Sequence, residues 1–261
     1  MKFTLLFCLV LGIGLGSVYH SLHVDARETA AGFDVADQVN KTVSLSPGSN
    51  VRVSGINGWV KIETWDGDKA EINVVIKASD REAMDRRPII IENTANSLAV
   101  FTEQDREGRK WGWNRGWVRH EVTMRVPRQI NLKVSSVNGA VNVGAITGAA
   151  TVASVNGRVS IEQAGSVTSL TSINGHTSVS MARLSEGGLN ISSINGGVDV
   201  ALPQATNAHI EVRSVNGGID TDLPITVIGE MRRGQLLGTL GQGGPKINIV
   251  SVNGGVNLRR N

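Results

Sequence analysis

The sequence predicts an all-β protein, a β-solenoid or β-helix-like stack of coils of about 18–21 residues, with an N-terminal β-rich capping half. Three observations lead to this prediction. The motif Ser-Val/Ile-Asn-Gly recurs in the C-terminal half, aliphatic and polar residues alternate between its copies, and no aromatic residue follows Trp117. A period near 20 residues is typical of repeat architectures, and alternation is typical of strands with one buried face.

Residues 1–26 have the organisation of a secretory signal peptide. Lys2 precedes an apolar run over residues 3–16, and residues 24–26 form a small-residue cleavage pattern. The run is shorter than the roughly 20 residues that span a bilayer, and no longer run follows. We therefore expect export via this signal peptide to the periplasm or cell surface, no transmembrane segment in the mature chain, and an N-terminal linker over residues 27–41.

The composition argues against several classes of protein. Cys8 is the single cysteine and lies within the predicted signal peptide, so the mature chain is expected to contain no disulfide and no thiolate site. Because the apolar run continues beyond Cys8, we predict no lipid anchor there. A formal net charge of +3 is too close to neutrality to predict nucleic-acid binding. No cofactor is predicted.

Residues 42–127 are predicted to form longer, more charged strands that cap the coils and continue their sheets. The strands are expected at residues 42–45, 50–53, 59–65, 71–78, 89–92, 98–102 and 118–126. A turn at 66–68 and a polar excursion at 80–87, with room for one helical turn, separate some of them. A cap is physically required, because an uncovered end coil would expose unpaired backbone N–H and C=O groups.

Residues 128–261 contain the repeat itself. Its corners, together with one earlier copy, are the pairs Asn57 and Gly58, Asn138 and Gly139, Asn156 and Gly157, Asn174 and Gly175, Asn195 and Gly196, Asn216 and Gly217, and Asn253 and Gly254. From Asn138 to Asn216 the asparagines are 18, 18, 21 and 21 residues apart, and 37 residues separate Asn216 from Asn253. Because this last interval is about twice the others, we interpret it as containing a coil that has lost its Asn-Gly pair.

Alignment of the copies on the asparagine shows which residue types recur in each coil. A serine stands two residues before the asparagine in six copies, and the positions four before and three after it are aliphatic in those copies, except at Thr177. We expect the aliphatic residues to fill a narrow interior. The serines and asparagines are expected to hydrogen-bond along the stack, at about 4.8 Å per coil.

The Asn-Gly pairs allow two architectures. Glycine adopts positive φ without a Cβ penalty, and asparagine tolerates the left-handed region better than most residues. Such corners are used by antiparallel hairpins that turn at each pair and by solenoids in which each pair is one corner of a coil. The recurrence of the same residues at equivalent positions favours the solenoid, because stacking brings like residues together.

Several segments of the sequence resemble a known family. Residues 50–68, residues 122–127 and the serial Ser-Val-Asn-Gly copies are similar to the "putative adhesin" β-strand repeat family, a domain of unknown function also called DUF4097. Residues 229–244, leading into residues 246–254, resemble the end of that family's domain. The resemblance covers nearly all of the mature chain and implies an exported, β-solenoid-like envelope protein. It supplies no catalytic residues, and a fold alone does not give function.

One short segment between two predicted strands combines tryptophans with cations. The candidate residues for ligand or partner contact are Arg109, Trp111, Trp113, Arg115 and Trp117. Aromatic faces with interleaved cations can stack on sugar rings or lie at a membrane interface. The alternative is a hairpin whose tryptophans cover the open end of the stack as a lid. Trp59 and Trp65 alternate within a strand and are interpreted as core or edge-covering residues.

Asp199 and Asp220 occupy the same column in successive copies, with Asp222 two residues further on. Stacked coils would place the first two carboxylates about 5 Å apart. A calcium ion could relieve their repulsion, or they could act as the carboxylate pair of a retaining glycosidase. The alternative is a solvated outer column, which other copies fill with Asn or Ser.

The remaining candidate residues predict no reaction. His120, His176 and His209 lie in different columns, so no zinc site is predicted, and no Gly-x-Ser-x-Gly elbow marks a nucleophilic serine. The sequence therefore predicts a non-catalytic, adhesin-like structural or interaction protein of the bacterial cell envelope. Its expected partner is an envelope polymer, an envelope protein or another copy of itself. The alternatives are a polysaccharide-acting β-helix enzyme centred on Asp199 and Asp220, and an envelope-stress sensor or accessory domain.

Overall fold

The chain folds almost entirely into strands. The computed structural model describes residues 35–102, 116–229 and 232–261. Strands account for 71% of the structure and helix for 2%, so the predicted all-β class is confirmed. The predicted signal peptide lies outside the described residues.

Nineteen strands and one short helix follow one another along the described ranges. The N-terminal half contains β1 Val35–Ser44, β2 Ser49–Asn57, β3 Val60–Trp65, β4 Lys69–Ala78, α1 Arg81–Asp85, β5 Ile89–Thr94, β6 Ser97–Thr102 and β7 Val118–Pro127. The repeat half contains β8 Ile130–Asn138, β9 Val141–Asn156, β10 Val159–Asn174, β11 Thr177–Met181, β12 Leu189–Asn195, β13 Val198–Leu202, β14 Ala208–Asn216, β15 Ile219–Thr221, β16 Ile225–Val227, β17 Gln235–Leu240, β18 Lys246–Asn253 and β19 Val256–Arg260. No helix in these ranges has the length and apolar character needed to cross a membrane.

The strands that lead into the Asn-Gly corners form a first ladder. Its order is β6, β2, β8, the second half of β9, the second half of β10, β12, β18 and β14, and every neighbouring pair is parallel. Antiparallel strands extend the ladder, β5 at one end and β17 followed by β16 at the other. Equivalent residues are in register, as Asn156 is with both Asn138 and Asn174.

The strands that follow the corners form a second ladder. Its parallel order is β7, β3, the first half of β9, the first half of β10, β11, β13, β19 and β15. β4 and then β1 extend it with antiparallel pairs. Because β9 and β10 run continuously from the second ladder into the first, the two ladders belong to one curled sheet.

Alternate side chains of both ladders meet in one continuous aliphatic core. In β18, Ile247 and Ile249 are fully buried, and in β19 Val256 and Leu258 are fully buried. Burying one such side chain contributes about 1.5–3 kcal/mol, so every coil stabilises the stack through several residues. The period of two explains why aliphatic residues recur at fixed distances from each asparagine.

The coils do not stack in the order in which they occur in the sequence. β18 lies between β12 and β14, and β19 lies between β13 and β15. The interpretation that a coil before Asn253 has lost its Asn-Gly pair is therefore wrong. After β15 the chain forms β16 and β17 at the edge of the first ladder. It then passes the start of β14 and places its last coil, β18 and β19, between the two coils that precede it in the sequence.

The N-terminal half contains the seven predicted strands and the predicted helical turn. β1 begins at Val35, within the segment predicted as a linker, and pairs with β4 along its whole length. β2 and β3 form the first coil of the stack, since they pair in parallel with β8 and β9. The other strands of this half extend both ladders beyond that coil. Their capping role stays a prediction.

Candidate interaction face

Seven asparagine side chains form a continuous hydrogen-bonded column along the corner. In stacking order the column consists of Asn57, Asn138, Asn156, Asn174, Asn195, Asn253 and Asn216. Each Nδ2 donates to the Oδ1 of the preceding asparagine at 2.7–2.8 Å. At the N-terminal end, Asn57 Nδ2 donates to the backbone carbonyl of Val118 at 2.6 Å. The asparagines therefore bond from coil to coil with their amides aligned head to tail.

The glycine that follows each asparagine is needed because the coils approach closely. A Cβ on Gly157 would overlap the backbone carbonyl of Gly139, and a Cβ on Gly175 would overlap that of Gly157. At five corners φ lies between 130° and 158°, namely at Gly58, Gly139, Gly157, Gly175 and Gly196. Gly217 and Gly254 face the same overlap with neighbouring backbone. Close packing selects glycine at every corner, and positive φ adds to that selection at five of them.

The repeated serine lies inside the corner, and in every copy but Ser154 its hydroxyl bonds to a backbone carbonyl. Ser193 Oγ donates to the carbonyl of Gly196 in its own coil at 2.9 Å. Ser214 Oγ donates to the carbonyl of Gly254 in the neighbouring coil at 3.1 Å. Both serines are buried. The hydroxyl thus closes the corner through a backbone carbonyl, and these serines do not bond to one another.

The residue between the serine and the asparagine is aliphatic and faces outward. These residues, in stacking order, are Val137, Val155, Ile173, Ile194, Val252 and Val215. Val137 and Ile194 are 42% and 43% exposed, Val215 is 69% exposed, and the other three are half-buried. At about 4.8 Å per coil this aliphatic column is about 24 Å long. It was not predicted from the sequence.

A second outward column, of mostly small residues, runs beside the aliphatic column. It consists of Ser135, Ala153, Thr171, Ser192, Val250 and Arg213. We call these two columns together the corner face. Within them the four coils between Ser135 and Arg213 carry no charged residue. Over these four coils the corner face therefore presents aliphatic and small uncharged side chains, bordered by the asparagine column.

Charge is concentrated at the C-terminal end of the corner face. Glu211 Oε1 pairs with Arg213 Nη2 at 2.8 Å, and its Oε2 pairs with Lys246 Nζ at 2.5 Å. The hydrogen bond from Lys246 holds the pKa of Glu211 below its usual value. At the opposite end Lys133 is exposed on β8. The charged groups beside the two columns are thus concentrated at the two ends, and Arg158 is an exposed cation of a middle coil, just beyond the Gly157 corner.

The predicted pairing of Asp199 with Asp220 is wrong. Asn257 of the last coil lies between them, in register with Asp199 on one side and with Asp220 on the other. The two aspartates are thus two coils apart, roughly 9.6 Å in place of about 5 Å. Asp222 accepts a hydrogen bond from the backbone N–H of Arg260 at 3.0 Å. This spacing fits neither a calcium ion shared by the two carboxylates nor a retaining glycosidase pair.

Both carboxylate oxygens of Asp199 have hydrogen-bond partners. Asn257 Nδ2 donates to its Oδ1 at 2.6 Å, and His176 Nε2 lies 2.7 Å from its Oδ2. Burial tends to raise the pKa of Asp199, but the bonds from Asn257 and His176 outweigh this effect and hold the pKa below its usual value. In the part of the chain that the structure describes, no three His, Cys, Asp or Glu side chains are grouped so as to hold a metal ion.

The other two histidines differ in their surroundings. His120 on β7 is buried, and neither ring nitrogen has a hydrogen-bond partner of normal geometry. Burial lowers the pKa of His120, and the nearby backbone of Arg87 offsets this only in part. His209 is exposed on β14. His120 is therefore a neutral core residue at pH 7, above the first corner.

Most of the predicted tryptophan site lies outside the described residues. This applies to Arg109, Trp111, Trp113 and Arg115, while Trp117 is 42% exposed. The described flanks meet at the N-terminal end of the asparagine column, where Thr102 Oγ1 donates to the Gly55 carbonyl at 2.6 Å and Asn57 binds Val118. The lid and the ligand contact both stay predictions for this segment.

Trp59 and Trp65 are half-buried. Trp65 Nε1 donates to the Lys69 carbonyl at 2.9 Å, across the turn between β3 and β4. The Arg125 guanidinium lies 4.6 Å from the ring centroid, and Gly67 packs against the same indole. These contacts give Trp65 a structural role at the edge of the first coil, and the Arg125 guanidinium covers its ring.

Comparison with known proteins gives distant likenesses. No family model matches the chain, and no curated protein sequence matches it. A "putative cell adhesion protein" from Clostridium sporogenes ATCC 15579 aligns with 14% identity and a TM-score of 0.48, over 85% of this chain and 99% of that one. A "putative adhesin" from Bacteroides fragilis NCTC 9343 aligns with 13% identity and a TM-score of 0.33, over 86% and 97%. A "putative lipid binding protein" from Parabacteroides distasonis ATCC 8503 aligns with 10% identity and a TM-score of 0.24, over 85% and 96%.

Proposed function

We propose that this protein is an exported, non-catalytic, adhesin-like interaction protein of the bacterial cell envelope, a rigid β-solenoid whose corner face binds an envelope polymer or an envelope protein. Export is motivated by the signal-peptide organisation of residues 1–26. The observation that carries the proposal is the outward aliphatic column next to the asparagine column. The solenoid is motivated by the parallel, in-register stacking of equivalent residues in both ladders.

Folding accounts for the other columns of the corner but not for the aliphatic one. The glycines allow close approach, the asparagines bond between coils, and all the repeated serines but Ser154 bond to the backbone. Valine and isoleucine do favour strands, but threonine provides the same β-branching without exposing apolar surface. Six outward aliphatic residues in a row form a continuous apolar strip, and such strips on soluble proteins mark interaction sites.

The chemistry of the corner face indicates the kind of partner. Aliphatic side chains favour contact with an apolar surface, and the adjacent amides and hydroxyls offer hydrogen bonds at a regular spacing. Because the middle coils carry no charge in these columns, the face suits an uncharged partner with extended or repeating structure. The engagement of Asp199 by Asn257 and His176 supports a role without catalysis.

Co-sedimentation tests this proposal. The purified protein is mixed with peptidoglycan sacculi or with membrane vesicles from the source bacterium, and Val137→Asp/Ile194→Asp is compared with the wild type. The control variant, Asn142→Asp/Gln163→Asp, places two charges at exposed positions of the second ladder. We expect the wild type and the control to sediment with one of the fractions and the corner-face variant to lose at least about tenfold in affinity, since each buried charge costs several kcal/mol. Equal binding by both variants, or no binding by the wild type, would refute the proposal.

A further inference from the structure

The last coil of the chain fills a slot between two coils that precede it in the sequence. Residues 246–260 form β18 and β19, which pair in parallel with β12 and β13 on one side and with β14 and β15 on the other. From β8 to β13 the coils follow chain order, so the insertion is a departure from the rest of the repeat.

The slot recognises the repeat pattern through contacts on both walls. Asn253 Nδ2 donates to Asn195 Oδ1 at 2.7 Å, and Asn253 Oδ1 accepts from Asn216 Nδ2 at 2.8 Å. Backbone bonds join Gly196 N to the Asn253 carbonyl and Val256 N to the Gly218 carbonyl, each at 2.9 Å. The inserted coil is thus held by the same ladder bonds and amide contacts that join the other coils.

The two walls of the slot also match each other. Ser193 and Asn195 on one wall occupy the same positions in their coil as Ser214 and Asn216 do on the other. β14 could therefore pair directly with β12 if the last coil were elsewhere. Residues 208–221 are synthesised before residues 246–260, so the slot has to open, or form late, to admit the last coil.

The segment that connects β17 to β18 is short and glycine-rich. β17 and β18 lie on opposite sides of β14, so residues 241–245 cross the start of that strand. There Gln242 N donates to Asn207 Oδ1 at 2.9 Å, and Gly241 and Gly243 have φ angles of 59° and 77°. The crossing covers two strand spacings, roughly 9.6 Å, whereas five extended residues reach about 17 Å. The same segment can therefore lead away to another molecule.

We propose that the slot also accepts residues 246–260 of a second copy of this chain, so that two molecules exchange their last coils. Each contact of the inserted coil is remade with identical atoms after exchange. The equilibrium between the closed monomer and the exchanged dimer then depends on the connecting segment and on protein concentration. A short connection of this kind is a recognised cause of exchange between protomers. The proposal is independent of the function of the corner face.

Disulfide trapping in the full-length chain tests the exchange. All variants carry Cys8→Ser, so that the introduced cysteines are the only thiols. Ser192 and Val250 are register partners on β12 and β18, within the Cα separation that a disulfide allows. Chains with Ser192→Cys alone and chains with Val250→Cys alone are mixed, unfolded, refolded together at high concentration and oxidised. We expect covalent dimers that contain one chain of each type.

The control for this experiment replaces Thr171 in place of Ser192. Thr171 on β10 is the register partner of Ser192, so it lies two coils from Val250 and beyond the reach of a disulfide. The mixture of Thr171→Cys and Val250→Cys chains is expected to give several-fold fewer dimers. Equal yields in the two mixtures, or no dimer in either, would overturn the proposal.

Changing the length of the connecting segment provides a second measurement. Deletion of Gly243 and Gly244 leaves three residues. Their reach of about 10 Å barely equals the direct crossing of roughly 9.6 Å and leaves no length for the path around the start of β14, so we expect a dimer in multi-angle light scattering. Insertion of Gly-Ser-Gly-Ser after Gly243 is expected to favour the monomer. A folded monomer from the shortened chain would contradict the exchange. If that variant fails to fold by circular dichroism, the disulfide experiment decides alone.

Discussion

Replacement of Asn174 by alanine interrupts the asparagine column at its middle. Asn174 Nδ2 donates to Asn156 at 2.7 Å, and Asn174 Oδ1 accepts from Asn195 at 2.8 Å. The substitution removes both bonds, and a hydrogen bond of this kind contributes about 0.5–1.5 kcal/mol. Because the column is exposed, water can reach the two amides left behind. We therefore expect the free energy of unfolding to fall by about 1–3 kcal/mol.

Position within the column sets the expected size of the effect. Asn216 is the last asparagine and donates one bond of the column, to Asn253 at 2.8 Å. Asn216→Ala is therefore expected to cost about half as much, about 0.5–1.5 kcal/mol. Thr171→Ala, at an exposed position on the same strand as Asn174, serves as the control and should stay within about 0.5 kcal/mol of the wild type.

Urea unfolding measures these differences. Tryptophan fluorescence and far-ultraviolet circular dichroism follow the transition, and an unchanged m-value shows that the variants unfold from the same structure. If Asn174→Ala were as mild as the Thr171→Ala control, or no worse than Asn216→Ala, the column would not stabilise the stack through its hydrogen bonds. The reasoning from side-chain stacking would then be refuted.

Three further predictions concern the corner and two titrating groups. Gly157→Ala should destabilise the protein by about 2–4 kcal/mol, because the added Cβ would overlap the Gly139 carbonyl and the residue has a positive φ. The control Gly187→Ala, whose Cβ would meet nothing within 4 Å, should be nearly neutral, and thermal unfolding compares the two. The lowered pKa of Asp199 stabilises the fold above the ordinary aspartate pKa of about 3.9, and this contribution is lost as the pH falls toward the pKa of the folded state. Asp199→Asn should therefore lose less stability than the wild type between about pH 5 and pH 3, as measured by urea unfolding. Because burial lowers the pKa of His120, the unfolded chain binds the proton more readily than the folded chain below about pH 6.5, and acid therefore destabilises the wild type. The stability of His120→Leu relative to the wild type should thus be higher at about pH 5 than at about pH 8. Equal pH profiles for a variant and the wild type would contradict the corresponding prediction.

Local signals in the sequence predicted the strands and the coil corners. Alternating aliphatic residues, as in the run that ends at Val143, specify a strand with one buried face wherever they occur. The Asn-Gly pairs specify a corner because glycine permits both positive φ and close approach. These signals depend only on near neighbours in the chain, so they could be read without knowledge of the stacking order.

The stacking order could not be predicted, because the coils carry nearly the same pattern. The amide of Asn195 is equally suited to bond Asn216 or Asn253, and the ladder bonds on either side do not depend on the side chains. Chain order favoured Asn216, and the structure places Asn253 there. The mistaken pairing of Asp199 with Asp220 followed directly from this choice.

The aliphatic column was missed although the sequence contained its signal. The buried aliphatic residue four positions before each asparagine fixes the phase of the alternation, so Ser193 must face inward and Ile194 outward. A polar serine in the interior and an aliphatic residue on the surface contradict the usual distribution. The exception is possible because the serine hydroxyl bonds to the Gly196 carbonyl inside the corner.

The order of the asparagine column can be tested most directly by disulfide formation within one chain. In a Cys8→Ser background, Val215→Cys/Val252→Cys places cysteines on adjacent coils of the aliphatic column, about 4.8 Å apart. Val215→Cys/Ile194→Cys places them two coils apart, roughly 9.6 Å, beyond the reach of a disulfide. The inserted last coil predicts a rapid intramolecular bridge in the first variant and none in the second. A bridge in the second variant and none in the first would show that the coils stack in chain order.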